Sequence, residues 1–206
     1  MDITQLILDD HHEQRRRFAM LEQLDPGDTA ALGAVWSRLA VFLEVHAAAE
    51  EQIFYPELLA AGLADGASGA GGAGGAGGRQ LVEAETLDAI HDHNDIRDAV
   101  VAVAGHDTGS AGWFAAVAAA NVANSDHMAE EEREGLTYFR RHASLRLRHD
   151  LAVAFATFEA RNFAGVPVVD KDPQAYVRDT EEQVGGGAGR PDGSLRIGSL
   201  RGTQQV

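Results

Sequence analysis

The feature that most constrains this chain is the spacing of its apolar residues, which recur three and four positions apart over long segments. Residues at that spacing share one face of an α-helix, so each segment predicts an amphipathic helix with one face inward. Stop signals such as Asp25-Pro26-Gly27 bound the segments. We expect helices over about 2–25, 29–62, 80–104, 111–142 and 144–163, the last two being compatible with one long helix because no glycine or proline separates them.

These segments predict an all-α fold: an antiparallel four-helix bundle with an additional C-terminal helix and an extended tail. Alanine supplies much of the hydrophobic content and aromatic residues only 6% of the chain, which suits closely packed helices. The only β-like run is 165–169, and Pro167 argues against a central strand there.

Three parts of the chain are expected to differ from the regular helices. Residues 65–78 read DGASGAGGAGGAGG, which is typical of a flexible loop and lies inside a bundle domain of residues 1–165. Residues 166–184 are expected to form an extended C-terminal arm, and residues 185–206 a disordered tail.

Composition argues against several classes of function. A formal net charge of −15 would repel nucleic acid and anionic membranes, so neither is expected as a partner. Without cysteine there are no disulfides, iron–sulfur clusters or thiolate zinc sites, which leaves histidine and carboxylate as metal ligands. No secretory signal is visible and no run approaches the roughly 18 apolar residues of a membrane span. A cytoplasmic protein is therefore expected.

Two predicted helices carry the motif His-x-x-x-Glu within their apolar stripe. The second helix has His46 and Glu50, and the fourth has His127 and Glu131. Residues four apart stack on one helix face, so each motif directs an imidazole and a carboxylate to the same point. A buried carboxylate needs a positive partner, and a metal ion would serve. A second glutamate follows each motif, and two such motifs are much more specific than one.

Each of the other two bundle helices offers two candidate histidines. His11 lies on the apolar stripe of the first helix, whereas His12 is turned about 100° away. In the third helix His93 lies between apolar positions, whereas His91 lies on a polar face. We prefer His11 and His93 as inward residues and keep His12 and His91 as second choices.

Four histidines and two glutamates converging from four helices are too many ligands for one tetrahedral zinc ion. They suit two metal ions bridged by carboxylates, and imidazole with carboxylate indicates iron in preference to manganese. The predicted ligands are His11, His46, Glu50, His93, His127 and Glu131.

The order H…HxxxEE…H…HxxxEE resembles the hemerythrin family, in particular its HHE cation-binding branch, over about residues 3–140 without the glycine-rich loop. The resemblance is carried by LILDDHHEQRRRF, HAAAEEQIFYP, AIHDHNDIR and HMAEEEREGL. It implies two non-haem irons with an oxo or hydroxo bridge, Glu50 and Glu131 as bridging carboxylates, and O2, H2O2 or NO as the small-molecule partner. The segment beyond the fourth helix is similar to the extension of actinobacterial hemerythrin-like proteins linked to oxidative or nitrosative stress.

Two positions depart from the family pattern. Reversible oxygen carriers of the family have a further histidine where this chain has Arg97, so the site here has more open positions, which favours redox turnover. Alternatively, Arg97 is a plain salt-bridge residue. Tyr55 replaces the usual phenylalanine, and on a regular helix it would point about 180° away from His46. Distortion at Pro56 would change that direction, so Tyr55 stays an alternative ligand.

The leading hypothesis is a di-iron protein that consumes hydrogen peroxide in a catalase-like cycle or handles nitric oxide, with a role in stress defence. The alternative is a non-catalytic sensor or binding protein for oxygen or iron. A ferritin-like oxidase is disfavoured because Glu-x-x-His pairs are missing. A metal-free helical adaptor is disfavoured because it leaves six polar groups on inward stripes unexplained.

Overall fold

Residues 1–67 and 74–186 are described by the computed structural model, and every regular element in these ranges is helical. The elements are α1 Ile3–Gln23, α2 Thr29–Ala49, a π-helical segment Glu50–Phe54, α3 Tyr55–Ala67, α4 Gly74–Val103, α5 Ala111–Arg133, α6 Gly135–His142, α7 Leu145–Arg161 and α8 Pro173–Gly185. The expected all-α fold is confirmed.

Four long helical stretches form the bundle: α1, α2 continued by α3, α4, and α5. Their contacts show the antiparallel arrangement. Along α1, His11 pairs with Glu132 and the later Gln14 pairs with the earlier Asn124 of α5, so the two helices run in opposite directions. Outside the bundle, α7 packs on α1 and α2, while α8 packs on α3 and α4.

The helix ends follow side-chain capping. Asp2, Asp28, Ser110 and Ser144 each accept a hydrogen bond from a backbone N–H in the first turn of the helix that follows. Because Ser144 caps a new helix, α7 is separate from α6, and the fourth and fifth predicted helices are not one continuous helix.

The predicted fourth helix is also interrupted, at Glu134 between α5 and α6. The next residue, Gly135, donates its N–H to Glu85 Oε1 on α4 at 3.3 Å. A Cβ at Gly135 would lie 3.0 Å from that oxygen, so a larger residue would require the Glu85 carboxylate to shift.

Two apolar clusters fill the bundle, one at each end. Phe54 and Phe139 belong to the first cluster, and Trp36 and Trp113 belong to the second. Between them lies a layer of buried polar side chains contributed by α1, α2, α4 and α5 and by the π-helical segment. Polar groups buried between two apolar clusters need specific partners, which makes this layer the natural place for a functional site.

The C-terminal arm differs from the extended conformation expected for residues 166–184. Residues 173–185 form helix α8. The side chain of Asp172 accepts a hydrogen bond from Ala175 N–H, and Pro173 occupies the first turn, where its missing N–H costs nothing. An Asp-Pro pair is therefore a helix start here.

The glycine-rich stretch expected as a flexible loop is helical at both ends. Residues 65–67 finish α3 and residues 74–78 begin α4. The Tyr138 hydroxyl donates to Asp65 Oδ2 at 2.9 Å, which anchors the end of α3 to α6. Residues 68–73 lie outside the described residues, as do residues 187–206 of the expected disordered tail.

One stretch, Thr29–Gly66, is long and apolar enough to cross a membrane by length and composition alone, with a mean hydropathy of 1.2. The expectation that no segment approaches such a span does not hold for it. Core helices of bundles pass the same test, and this stretch carries the buried polar residues His46, Glu50 and Glu51 toward other helices.

Candidate metal centre

Four imidazoles from four helices turn their Nε2 atoms toward one carboxylate, Glu50, in the middle of the bundle. The oxygens of Glu50 lie 2.8 Å from His46 Nε2, 3.3 Å from His93 Nε2, and 3.9 Å from both His11 Nε2 and His127 Nε2. Each of these five residues is at most 3% exposed. The inward apolar stripes therefore bring the four preferred histidines and Glu50 into one buried cluster.

Glu50 divides the four imidazoles into two groups. One group is His11 and His46 with Glu50, the other is His93 and His127 with Glu50, and within each group the ligand atoms lie within 4.8 Å of one another. Glu131 lies beside the first group, with Oε2 3.3 Å from His11 Nε2. Each of the two adjacent groups could hold a metal ion, and Glu50 is the carboxylate they share.

Several of these inward atoms are buried without a hydrogen-bond partner among the described residues. They are His11 Nε2, His46 Nε2, both oxygens of Glu50, and Glu131 Oε2. Buried polar atoms without partners are rare and costly, and a metal cation would satisfy all of these atoms together. Imidazole nitrogen and carboxylate oxygen without sulfur suit a first-row transition metal such as iron. The donor set fits a metal centre.

The outward nitrogen of each imidazole faces a second carboxylate, supplied by a neighbouring helix in cyclic order. A carboxylate of α1 contacts the histidine of α2, and one of the π-helical segment contacts that of α4. In the same way, a carboxylate of α4 contacts the histidine of α5, and one of α5 contacts that of α1. The Nδ1–oxygen distances are 3.4 Å for His46 and Asp10, 2.9 Å for His93 and Glu51, 3.6 Å for His127 and Asp92, and 3.0 Å for His11 and Glu132. Such partners hold each ring with Nε2 inward and strengthen it as a ligand.

Two of the outer carboxylates, Glu51 and Glu132, are held in their charged form. Burial raises the pKa of Glu51, but the hydrogen bond with His93 and the charges of Lys171 and Arg97 outweigh burial and lower it to about 2. The hydrogen bond with His11, against burial and with help from Arg15, lowers the pKa of Glu132 to about 2.

Two of the imidazoles, His127 and His46, are strong proton acceptors in the metal-free protein. Burial lowers the pKa of His127, but Asp92, Glu50 and Glu131 outweigh it and raise the pKa to about 10. His46 is similar: burial opposes protonation, while Glu50 and Asp10 raise its pKa well above the ordinary value. A metal ion must therefore displace protons from these rings when it binds.

The π-helical segment changes the direction in which Tyr55 points. Tyr55 N–H bonds to the carbonyl of Glu50, five residues earlier, and Pro56 has no N–H to offer the next carbonyl, that of Glu51. The Glu51 carbonyl accepts the hydroxyl of Tyr176 instead, at 2.6 Å. A π turn holds more residues than an α turn, so each advances by less than the roughly 100° of an α-helix. The direction expected for a regular helix is thus wrong for Tyr55.

Tyr55 reaches the candidate centre through Glu131. Its side chain is fully buried, its ring centroid lies 5.9 Å from that of His93, and its hydroxyl donates to Glu131 Oε1 at 3.0 Å. Burial, followed by the negative charges of Glu131 and Glu50, raises the pKa of Tyr55 well above its ordinary value. In the metal-free protein the phenol therefore keeps its proton and acts as a hydrogen-bond donor.

We expect Tyr55→Phe to keep its bound metal, because the histidines and Glu50 are untouched and the ring still packs on Phe54. Loss of one buried hydrogen bond should lower the free energy of unfolding by about 1 kcal/mol. Elemental analysis and chemical denaturation test this, with Tyr138→Phe, which loses its hydrogen bond to Asp65, as the matched control. A tyrosinate-to-iron absorption band lost only in Tyr55→Phe would show instead that Tyr55 is a ligand.

Arg97 lies behind the histidines and does not reach the metal-facing nitrogens. Its Nη2 donates to Glu51 Oε1 at 2.8 Å, and its Nε lies 3.1 Å from Glu44 Oε2. It is only 5% exposed, so this is a buried ion-pair network. The contacts of Arg97 are therefore those of a salt-bridge residue, which is the alternative role expected from the sequence. One of these contacts is with Glu51, the carboxylate that lies beside His93.

The structure separates the two pairs of alternative histidines. His11 and His93 are buried in the cluster, whereas His12 and His91 are exposed. His91 pairs with Asp95 at the surface, at 3.6 Å. The exposed pair therefore lies outside the candidate centre, as the stripe positions of His11 and His93 predict.

Sequence reasoning missed the roles of the outer carboxylates and of Lys171. A signal for the carboxylates was present: an acidic residue directly precedes His11 and His93, and one directly follows Glu50 and Glu131. Each serves a histidine on a different helix, so only the packed bundle shows the pairing. No local pattern links Lys171 to Glu51, which is 120 positions away.

The model of the hemerythrin HHE cation-binding domain matches residues 2–139 of the chain. Neither the curated proteins nor the solved structures include a match to this chain. The matched range covers α1 to α5 and the first part of α6 and contains every residue of the inner cluster, whereas α7 and α8 lie beyond it.

Proposed function

Since the chain belongs to the hemerythrin HHE cation-binding family, whose domain binds metal cations, we propose that it is a non-haem di-iron protein that consumes hydrogen peroxide in a catalase-like cycle. The observation that supports this most is the sharing of Glu50 between two groups of two histidines. We assign the metal-holding role to His11, His46, Glu50, His93, His127 and Glu131.

Two irons held by these residues, each changing its oxidation state by one, would supply the two electrons that reduce one H2O2, with two protons, to two waters. A second H2O2 would return the two electrons and leave as O2 and two protons. A pair of one-electron sites thus balances the reaction without a further reductant. The cycle is also consistent with a role in oxidative stress defence and needs no partner protein.

The side chains of the bundle prepare the centre for this chemistry. The apolar clusters on either side exclude bulk water, which strengthens electrostatic interactions within the layer. The Tyr55 hydroxyl donates a hydrogen bond to Glu131 at the edge of the first histidine group. A proton is therefore available where a reacting peroxide oxygen would take one up. This chain has Arg97 where oxygen carriers of the family have a fifth histidine, so fewer protein ligands would reach the metal. Coordination positions would then stay open for a small reactant.

One cavity borders this layer and offers a route of approach for a small neutral molecule. A cavity of about 200 Å³ lies between α2, α4 and residues 165–168, and His93 forms part of its lining. Its walls are mostly alanine, valine and isoleucine side chains, with Glu44 and Arg97 among the lining residues. We assign this cavity as the entry side for the peroxide.

We expect His11→Gln and His93→Gln to lose iron and oxygen evolution from peroxide, because each removes a nitrogen from one group. The neighbouring exposed histidines provide matched controls, and His12→Gln and His91→Gln should keep both properties. Iron content by elemental analysis and oxygen evolution with an electrode are the measurements. Oxygen evolution by the iron-loaded protein no faster than by free iron would refute the catalase-like reaction.

A second candidate function is a non-catalytic sensor or binding protein for oxygen or iron. It is favoured by one contact, that of the C-terminal segment with Glu51 beside His93, which would couple the centre to the outside of the bundle. Iron binding without peroxide turnover, together with a change in protease cleavage around residues 163–172 on iron loading, would support this candidate instead.

A further inference from the structure

The chain contains a single lysine, Lys171, and it lies against the metal centre. Its ammonium group pairs with Glu51 Oε2, while the other oxygen of Glu51 lies 2.9 Å from His93 Nδ1. Lys171 is 33% exposed and Glu51 is 1% exposed, so a partly solvated cation reaches a buried carboxylate. Apart from histidine, the other basic residues of the chain are 16 arginines. The one ammonium side chain therefore lies here.

The backbone of Lys171 is clamped as well as its side chain. Asn94, the residue after His93, donates its side-chain amide to the Lys171 carbonyl at 2.7 Å and accepts the Lys171 N–H at 3.1 Å. Both backbone groups of one residue are thus held by one side chain of α4. This double contact sets the segment beside the histidine whose partner Lys171 touches.

A third contact joins the same C-terminal segment to the π-helical segment. Tyr176 on α8 donates its hydroxyl to the Glu51 carbonyl, the group for which Pro56 has no N–H. The Lys171 ammonium also lies 5.5 Å from the centre of the Tyr176 ring, a cation–π distance. Glu51 is therefore held at its carboxylate by Lys171 and at its backbone by Tyr176.

We propose that Lys171 is a positioning residue of the metal centre, which holds Glu51 against His93 and so makes residues 171–176, outside the matched domain, a working part of the site. This inference rests on the proposed di-iron function. Arg97 and Lys171 pair with the two oxygens of the Glu51 carboxylate, so Glu51 is fixed in the position that orients the ring of His93. The group that contains His93 and His127 is thereby held rigid, and Lys171 adds a positive charge beside it.

The test compares iron-loaded Lys171→Met with Lys171→Arg, which restores the charge, and with Arg178→Met, which removes an exposed charge from α8. In Lys171→Met we expect about half of the iron to be released to a chelator roughly tenfold faster, because a support of one of the two groups is lost. The midpoint potential should shift to more negative values, since a positive charge near the iron disappears. Arg178→Met should match the unchanged protein, and Lys171→Arg should return both readouts most of the way.

Each outcome decides the proposal. Release kinetics and potential in Lys171→Met equal to those of Arg178→Met would overturn it. A loss in Lys171→Met that Lys171→Arg does not restore would also overturn it, because the segment would then act by packing alone. If the unchanged protein holds no iron, the proposed function fails, whereas two irons with no effect of Lys171→Met refute only this inference.

Discussion

Glu50→Gln is expected to abolish metal binding at both histidine groups, with a loss of iron affinity on the order of 100-fold or more. Loss of a residue that merely supports a ligand typically costs about 10–100-fold, and Glu50 faces all four imidazoles directly. Glutamine keeps the size of the side chain but removes its charge, so the four nitrogens lose the anion they share. No other described residue belongs to both histidine groups.

Elemental analysis and titration with ferrous iron measure this effect, with Glu22→Gln on the exposed face of α1 as the control for loss of a carboxylate. Circular dichroism should show the same helix content in both variants, since apolar clusters flank the polar layer on both sides. Two irons retained by Glu50→Gln would contradict the shared role of Glu50, and one iron retained would show that one histidine group is independent of it.

The metal-free protein is expected to become less stable as the pH rises from about 7 to about 10, by on the order of a few kcal/mol. The pKa of His127 is about 10 in the folded chain, against an ordinary value of 6.5. Its protonated form is stabilised by folding, so this contribution is complete below about pH 6.5 and is lost as the pH rises through about 10. The pKa of Glu85, raised to about 7 by burial, then by Glu131 and Glu134, gives a loss of the same sign at lower pH.

Chemical denaturation of the metal-free protein at about pH 7 and about pH 9.5 measures this dependence. In His127→Gln the loss should be smaller, because one of the titrating groups is gone. Iron affinity should rise over the same range, since metal binding has fewer protons to displace. Unchanged or increased stability of the metal-free protein at the higher pH would show that the imidazoles are not protonated in the folded chain.

The histidine choices show how far local pattern reaches. His11 and His93 lie on apolar stripes, whereas His12 and His91 do not, and the structure buries the first pair and exposes the second. A helix turns by about 100° per residue, so the face of each side chain follows from its position in the stripe alone. The inner cluster could therefore be predicted from the sequence residue by residue.

Tyr55 shows where the local argument fails. The direction of its side chain depends on the π-helical segment. Pro56 has no N–H to donate to the Glu51 carbonyl there, and this carbonyl accepts the Tyr176 hydroxyl instead. Apolar residues spaced three and four positions apart predict a regular α-helix. They indicate neither the wider π turn nor the Tyr176 hydroxyl far along the chain. The start of α8 at Asp172-Pro173 was a readable signal, but its docking beside Glu51 was not.

The sequence by itself determined the helices, the inward faces and the six candidate ligands, because helix periodicity converts spacing along the chain directly into direction. Only the tertiary structure decided which carboxylate supports which histidine, because Asp10, Glu51, Asp92 and Glu132 each act on a neighbouring helix. It also decided that the one lysine pairs with Glu51, beside the candidate centre. Contacts between residues far apart in the chain depend on how helices pack, and that packing is set by the whole core rather than by any local run.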